Sequence, residues 1–340
     1  MTQPIPMLSG LPVDEQTYPR FARGPRWRPS RGVFAVLCAV AAGLLANVVF
    51  AMVGMAIDAH GRASQMTATI SGPGGFIGNN LGLASWVLIA MGLAGYFFLQ
   101  PRGYLSSVTG RFRWGWFRLC AVVILPVWVV IIGGSYLLAW HSGALVVSVR
   151  SDTWVLLAGI ILTTPLQCAG EEYAFRGLIN RSVACLVPNR RIGLALGAVV
   201  SSGLFMLAHN AQDPWLNSVY FYFGLASCWT CWRTGGLEGS FALHLVNNMA
   251  SLLIVPFTGG LGAVFDRVDG TSSIGAALLQ AGIITVAVAL IEVVRRRRRP
   301  VREAAPGRAL LPPPVWNAPP SSWPAPSSWP VTVTVNPSKP

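Results

Sequence analysis

Charge is what this sequence has least of. Only 11% of its 340 residues are Asp, Glu, Lys or Arg, against 53% hydrophobic, where a water-soluble domain carries about 25% charged residues. That shortage excludes a soluble globular enzyme and puts the chain in a membrane. Acidic residues are the scarcer sign, 12 against 25 basic. In a nucleic-acid-binding protein such an excess forms a basic face on a folded domain; here the arginines sit in short segments between apolar runs, which excludes nucleic acid as a partner. The six cysteines fall in or beside apolar stretches, so no disulfide framework is expected. Cys228-Trp229-Thr230-Cys231 has C-x-x-C spacing, but it lies inside an apolar run without a second pair, and packing is the expected role. No small-residue cleavage site closes the first apolar run, which reads as a retained anchor.

Apolar runs are what the sequence has in plenty. A bilayer core needs roughly 20 apolar residues per helix, and eight stretches of that order are readable, at about 32–57, 76–99, 118–139, 154–174, 192–209, 216–232, 239–257 and 274–294. The expected fold is an all-α polytopic membrane bundle of about eight transmembrane helices. With the N-terminus in the cytoplasm, only Arg62, Arg150 and Arg267 of the basic residues fall outside. That asymmetry matches the positive-inside rule and predicts two cytoplasmic ends in a cell membrane. Residues 1–31 form a basic cytoplasmic segment and 32–294 the bundle. Residues 295–340 carry the Arg295–Arg299 cluster, a topology determinant that also suits anionic headgroups, and then a Pro/Ser/Trp-rich tail. Pro-Ser-Ser-Trp-Pro at 320–324 repeats at 326–330, a composition expected to be extended or disordered.

Ionisable groups inside membrane spans are costly, and their default reading is functional. In Glu171-Glu172-Tyr173-Ala174-Phe175-Arg176, Glu172 and Arg176 are four apart with the acid first, the favourable order for a helical ion pair. Glu171 points about 100° away and lacks that partner. Phe205-Met206-Leu207-Ala208-His209 closes the fifth span. In the seventh, His244 and Asn248 share a face at i, i+4. The two other histidines of four, His60 and His141, fall in expected external loops. Singly, each feature fits a helix–helix hydrogen bond or a buried ion pair. Together, a carboxylate, two imidazoles and a carboxamide on three helices can activate water and stabilise an oxyanion.

Glu-Glu-x-x-x-Arg, Phe-x-x-x-His and His-x-x-x-Asn, in that order on successive helices, resemble the CPBP family over about residues 150–255. This family comprises the type II CAAX prenyl endopeptidases and the bacteriocin-processing or self-immunity (ABI) proteins. The resemblance implies an intramembrane endopeptidase whose partners are a peptide or lipidated peptide and the lipid bilayer. It implies that Glu171 and His209 hold and deprotonate a water, and that His244 and Asn248 hydrogen-bond the tetrahedral oxyanion. Glu172 and Arg176 would orient the helix end, with a substrate carboxylate as an alternative partner for Arg176. The family is often labelled metalloprotease, and Glu171, His209 and His244 would make a three-ligand catalytic zinc site with an open position. The His-Glu-x-x-His motif is missing, so a metal-free and a zinc reading both stay open. Two other functions compete, a non-catalytic self-immunity or scaffold protein and a small transporter. The complete acid–base set argues against the former, and the lack of internal symmetry against the latter.

These span limits set a problem of depth. At about 1.5 Å per residue, Glu171 falls near the cytoplasmic end of its span and His209 near the outer end of its own. They share a water only if the fourth helix continues past Arg176 or the fifth begins well inside the cytoplasm. Pro165 is a candidate kink.

Overall fold

The computed structural model describes residues 10–60, 72–258, 261, 270 and 272–310; the tail repeats, Arg62, Arg267 and Lys339 lie outside them. Eleven helices are used below: α1 (Pro29–Asp58), α2 (Pro73–Ala84), α3 (Trp86–Phe98), α4 (Trp114–Trp128), α5 (Gly134–His141), α6 (Thr153–Glu171), α7 (Asn180–Leu186), α8 (Arg190–Ala208), α9 (Pro214–Thr234), α10 (Glu238–Leu252) and α11 (Ile274–Arg298). Wider π-helical turns join α4 to α5 at Val129–Gly133 and α6 to α7 at Glu172–Ile179. Two short strands, β1 (Gln16–Thr17) and β2 (Glu303–Ala304), pair antiparallel.

Seven of the described helical segments are long and apolar enough to cross a membrane. The expected run at 216–232 is α9, whose 21 residues span about 31 Å but include Trp, Tyr, Ser and Asn, which lower its hydropathy. The β1–β2 pair brings the segment before α1 and the segment after α11 together on one side of the bundle. α9 packs against α8, α10 and α11 as part of the same bundle.

A polar cap closes that side. The Arg20 guanidinium donates to the carbonyls of Ala184, Val187, Pro188 and Asn189 at 3.0–3.3 Å, satisfying carbonyls that the end of α7 leaves unpaired. Arg23 donates to Cys185 O at 3.1 Å. Arg181 donates to Gln100 Oε1 and Tyr104 O, both at 3.0 Å. Arg113 holds Glu238 at 2.6 Å. The described part of the basic segment, residues 10–28, is thus folded against the bundle. Arg176 and Arg181, expected in a cytoplasmic loop, are instead fully buried, because the helix they ride on does not stop at the membrane surface.

That continuity resolves the depth problem. α6, the π turn and α7 form one rod, Thr153–Leu186, of 34 residues, and Glu171 lies near its middle. The helix runs on through Pro165. All six cysteines are free thiols, and Cys228 and Cys231 are buried in the packing of α9.

Candidate active site

Glu171 ends the regular part of α6, and the π turn begins at the next residue. Such wide turns recur at functional sites because they re-aim side chains that a regular helix would stagger. Gly170 lets this stretch approach the α2–α3 junction: a Cβ there would lie 1.9 Å from Leu83 O. The consecutive carboxylates then face different partners. Glu172 is fully buried, pairs with Arg176 at 3.1 Å, accepts from His244 Nδ1 at 2.9 Å and accepts a short hydrogen bond from Ser240. The Arg176 guanidinium also lies over the Phe205 ring, 4.2 Å from its centroid. The ion pair expected from the spacing forms, and it does more than orient a helix end, because Glu172 grips the imidazole of α10.

Glu171 has the partner that its position on the helix alone does not reveal. Its Oε2 lies 3.5 Å from His244 Nε2 and receives no hydrogen bond among the described residues. His244 therefore stands between two carboxylates. Because Glu172 is acceptor-only when ionised, His244 Nδ1 is the donor in their bond.

Glu171 Oε1 ends a chain of carboxamides. Gln280 of α11 donates to Asn247 at 2.7 Å, Asn247 to Asn248 at 3.1 Å, Asn248 to Gln167 at 3.2 Å, and Gln167 to Glu171 at 2.7 Å. An ionised carboxylate can only accept, so the last bond sets the direction of every amide before it. Of these residues, Gln167 had a readable signal, being one helical turn before Glu171 on the same face. Asn247 sits inside the quoted His-x-x-x-Asn stretch, while nothing local marks Gln280.

His209 immediately follows α8. Its Nδ1 lies 2.8 Å from the Phe205 carbonyl, and its ring stacks on Tyr220 with centroids 3.9 Å apart. Glu171, His209, His244 and Asn248 all line one half-open cavity of about 830 Å³ between the helices. Glu172 and Arg176 lie behind it. Asn47, Asn79 and Asn80 complete its polar wall.

Among the described residues no three His, Cys, Asp or Glu side chains are grouped to hold a metal ion. His244 Nε2 faces Glu171, while His209 is tied to Phe205 and Tyr220.

The fold and this cavity define a multi-pass membrane protein with an intramembrane carboxylate–imidazole–amide site. Residues 150–250 match the family model described as Type II CAAX prenyl endopeptidase Rce1-like, in line with the resemblance read from the motifs there. The match lends no support to the metalloprotease label. The chain is similar to "Uncharacterized protein YyaK" of Bacillus subtilis (strain 168), 30% identical over 127 residues, covering 34% of this chain and 41% of that protein. The chain thus spans less than half the length of that relative. No solved structure matches.

Proposed function

We propose that the chain is an intramembrane endopeptidase that hydrolyses a peptide bond of a membrane-associated or lipidated peptide, with its two ends in the cytoplasm. The observation that carries this reading is the Glu171 carboxylate, with one oxygen held by Gln167 and the other turned to His244 within a cavity inside the bundle. The match of residues 150–250 to a protease family model supports it. So do the carboxamides of the cavity wall, whose paired donors and acceptors match a peptide main chain.

In this mechanism Glu171 Oε2, assisted by His209, takes a proton from a water molecule. The resulting hydroxide attacks the scissile carbonyl carbon. His244 Nε2–H and the second Nδ2–H of Asn248 donate to the oxyanion as it forms. Glu172 accepts from Nδ1 of the same ring and holds the imidazole in place. Glu171 then returns the proton to the leaving nitrogen, the C–N bond breaks, and an acid and an amine result. Gln167 is a positioning residue: it fixes the rotation of the Glu171 carboxylate and turns Asn248 towards the cavity.

The test is incubation of the purified protein in detergent with a panel of prenylated and unprenylated peptides, with and without a chelator. Cleavage that survives the chelator and disappears in Glu171→Gln is the expected result. Undiminished cleavage by Glu171→Gln would overturn the mechanism.

A further inference from the structure

A second cavity, of about 700 Å³, lies between α8, α9 and α11. Its walls include Leu194, Ala195, Ala198, Leu225 and Val288. At its inner end Tyr222 and Thr285 are hydrogen-bonded at 2.7 Å; at its mouth stand Pro19 and Arg191 of the cap side. From Trp232 to Tyr222 the slot runs about 15 Å along α9. That is the hydrocarbon depth of one leaflet, half of a core about 30 Å thick.

The slot is apolar, but three polar features mark it. Asn180 lines it at 1% exposure, and neither its Nδ2 nor its Oδ1 has a hydrogen-bond partner among the described residues. Trp232 Nε1, also lining the slot, is in the same state. Buried donors and acceptors left unpaired are costly, so both residues call for a ligand with hydrogen-bonding groups at their level. Arg191, at the mouth, makes no side-chain ion pair or hydrogen bond among the described residues, whereas its neighbour Arg190 is taken by Glu303 at 2.6 Å. The positive end of the α8 dipole adds to the charge there. Gly197, which abuts the Asn180 amide, lies about 9 Å along α8 from Arg191. The fitting occupant is therefore anionic at one end, carries hydrogen-bond acceptors between the mouth, where Trp232 stands, and the level of Asn180, and ends in an apolar chain that reaches the Tyr222–Thr285 pair.

We propose that this slot holds one anionic glycerophospholipid from the leaflet on the cap side. Its phosphate rests on Arg191. An ester carbonyl accepts from Asn180 Nδ2 or Trp232 Nε1, and one acyl chain runs past Ala198 and Leu225 to the Tyr222–Thr285 stop. The lipid braces α9 on one face, while Val219, Tyr220 and Phe223 of the same helix line the active-site cavity.

The test uses the full-length protein in detergent, offered phosphatidylglycerol or phosphatidylcholine with identical chains, with bound lipid counted by native mass spectrometry. One phosphatidylglycerol retained per chain, preferred roughly fivefold over phosphatidylcholine as expected for one interfacial arginine, supports the site. Arg191→Glu, a change at the rim, should remove the preference while some lipid stays bound. Ala198→Trp, which fills the slot, should remove retention of both lipids. Equal retention of the two lipids by the unmodified protein would overturn the proposal. So would a preference that survives Arg191→Glu, or retention that survives Ala198→Trp. None of these readouts depends on proteolysis, so failure here leaves the endopeptidase reading intact, and the converse holds as well.

Discussion

Two long rods of this bundle cross the same membrane with opposite strategies. α1, 30 residues long, has 17% of its most apolar stretch buried, whereas the Thr153–Leu186 rod has 50% buried. What α1 buries is small: Gly32, Ala35, Ala39, Gly43 and Gly54 form its packed face, while Leu45, Val48 and Val49 stay exposed on the bundle surface. The other rod buries Glu171, Glu172, Arg176 and Arg181. In lipid there is no hydrophobic drive between helices, so α1 packs by close approach of small residues. The Thr153–Leu186 rod carries charge only because other helices, the π turn and the cap supply partners for it. One rod can be changed on its outer face with little consequence; the other cannot.

The contrast is broken most severely at Glu171. Glu171→Gln should lower peptide cleavage at least about 100-fold, the usual cost of losing an acid–base group, with membrane insertion and melting temperature unchanged. Glu172→Ala leaves Arg176 buried without its carboxylate and lets go of His244. It should cost about 3–5 kcal/mol of stability, measurable by denaturation in detergent, and a variant as stable as the parent would deny the ion pair its structural role.

On α1, Gly43→Leu tests the small-residue face. A Cβ at this position would sit 2.2 Å from the Trp86 indole, so destabilisation of about 1–3 kcal/mol is expected from overpacking. Leu45→Ala, on the exposed side, should change stability by less than about 0.5 kcal/mol. Equal effects at positions 43 and 45 would erase the distinction between the two faces.

Gln280 probes the far end of the amide chain. Gln280→Glu cannot donate to Asn247 and should reverse the chain until Gln167 presents a carbonyl to Glu171. A loss of about tenfold in kcat with little change in KM is expected, the scale of one hydrogen bond to a charged group. Gln280→Leu, which removes a donor without reversing its neighbours, should lose less. The opposite order would indicate packing rather than polarity.

The smallest effect lies outside the membrane spans, at Asp213. Backbone N–H groups of Leu216, Ser272, Trp215 and Gly270 donate to its carboxylate at 2.8–3.1 Å. Led by the Leu216 bond, they hold its pKa below the usual 3.8 despite the opposing effect of desolvation. A carboxyl lowered on folding adds stability above its unfolded value and loses it as pH falls through the folded one. The stability advantage of the parent over Asp213→Asn should therefore be constant at neutral pH and shrink only below about pH 3.8. An advantage that faded near pH 6 would mean that another group titrates there.

Much of the bundle was legible before any coordinates. The apolar runs mark seven helices long and apolar enough to cross a membrane, and the run at 216–232 is a helix, α9, whose Trp, Tyr and Asn content weakens its hydropathy. Glu172 and Arg176 were paired from a four-residue spacing. The misplacement of Arg176 and Arg181 has a plain cause: a basic residue after an apolar run ordinarily marks the membrane surface, and these two are inside because Glu172 and Phe205 meet Arg176 while Gln100 and the Tyr104 carbonyl meet Arg181. Arg20 showed the same limit, since its value as a donor depends on carbonyls more than 160 residues away.

Hydropathy and helical spacing are properties of neighbouring residues, and so the sequence by itself determined the all-α membrane bundle, the motif-bearing helices and the Glu172–Arg176 pair. Folding decided which helices meet and at what depth. The placement of His244 between Glu171 and Glu172, the amide line from Gln280, and the cap over α7 all depend on groups brought together from distant parts of the chain. A buried polar group in a membrane is held by whatever partner reaches it in three dimensions, and no local pattern encodes that partner.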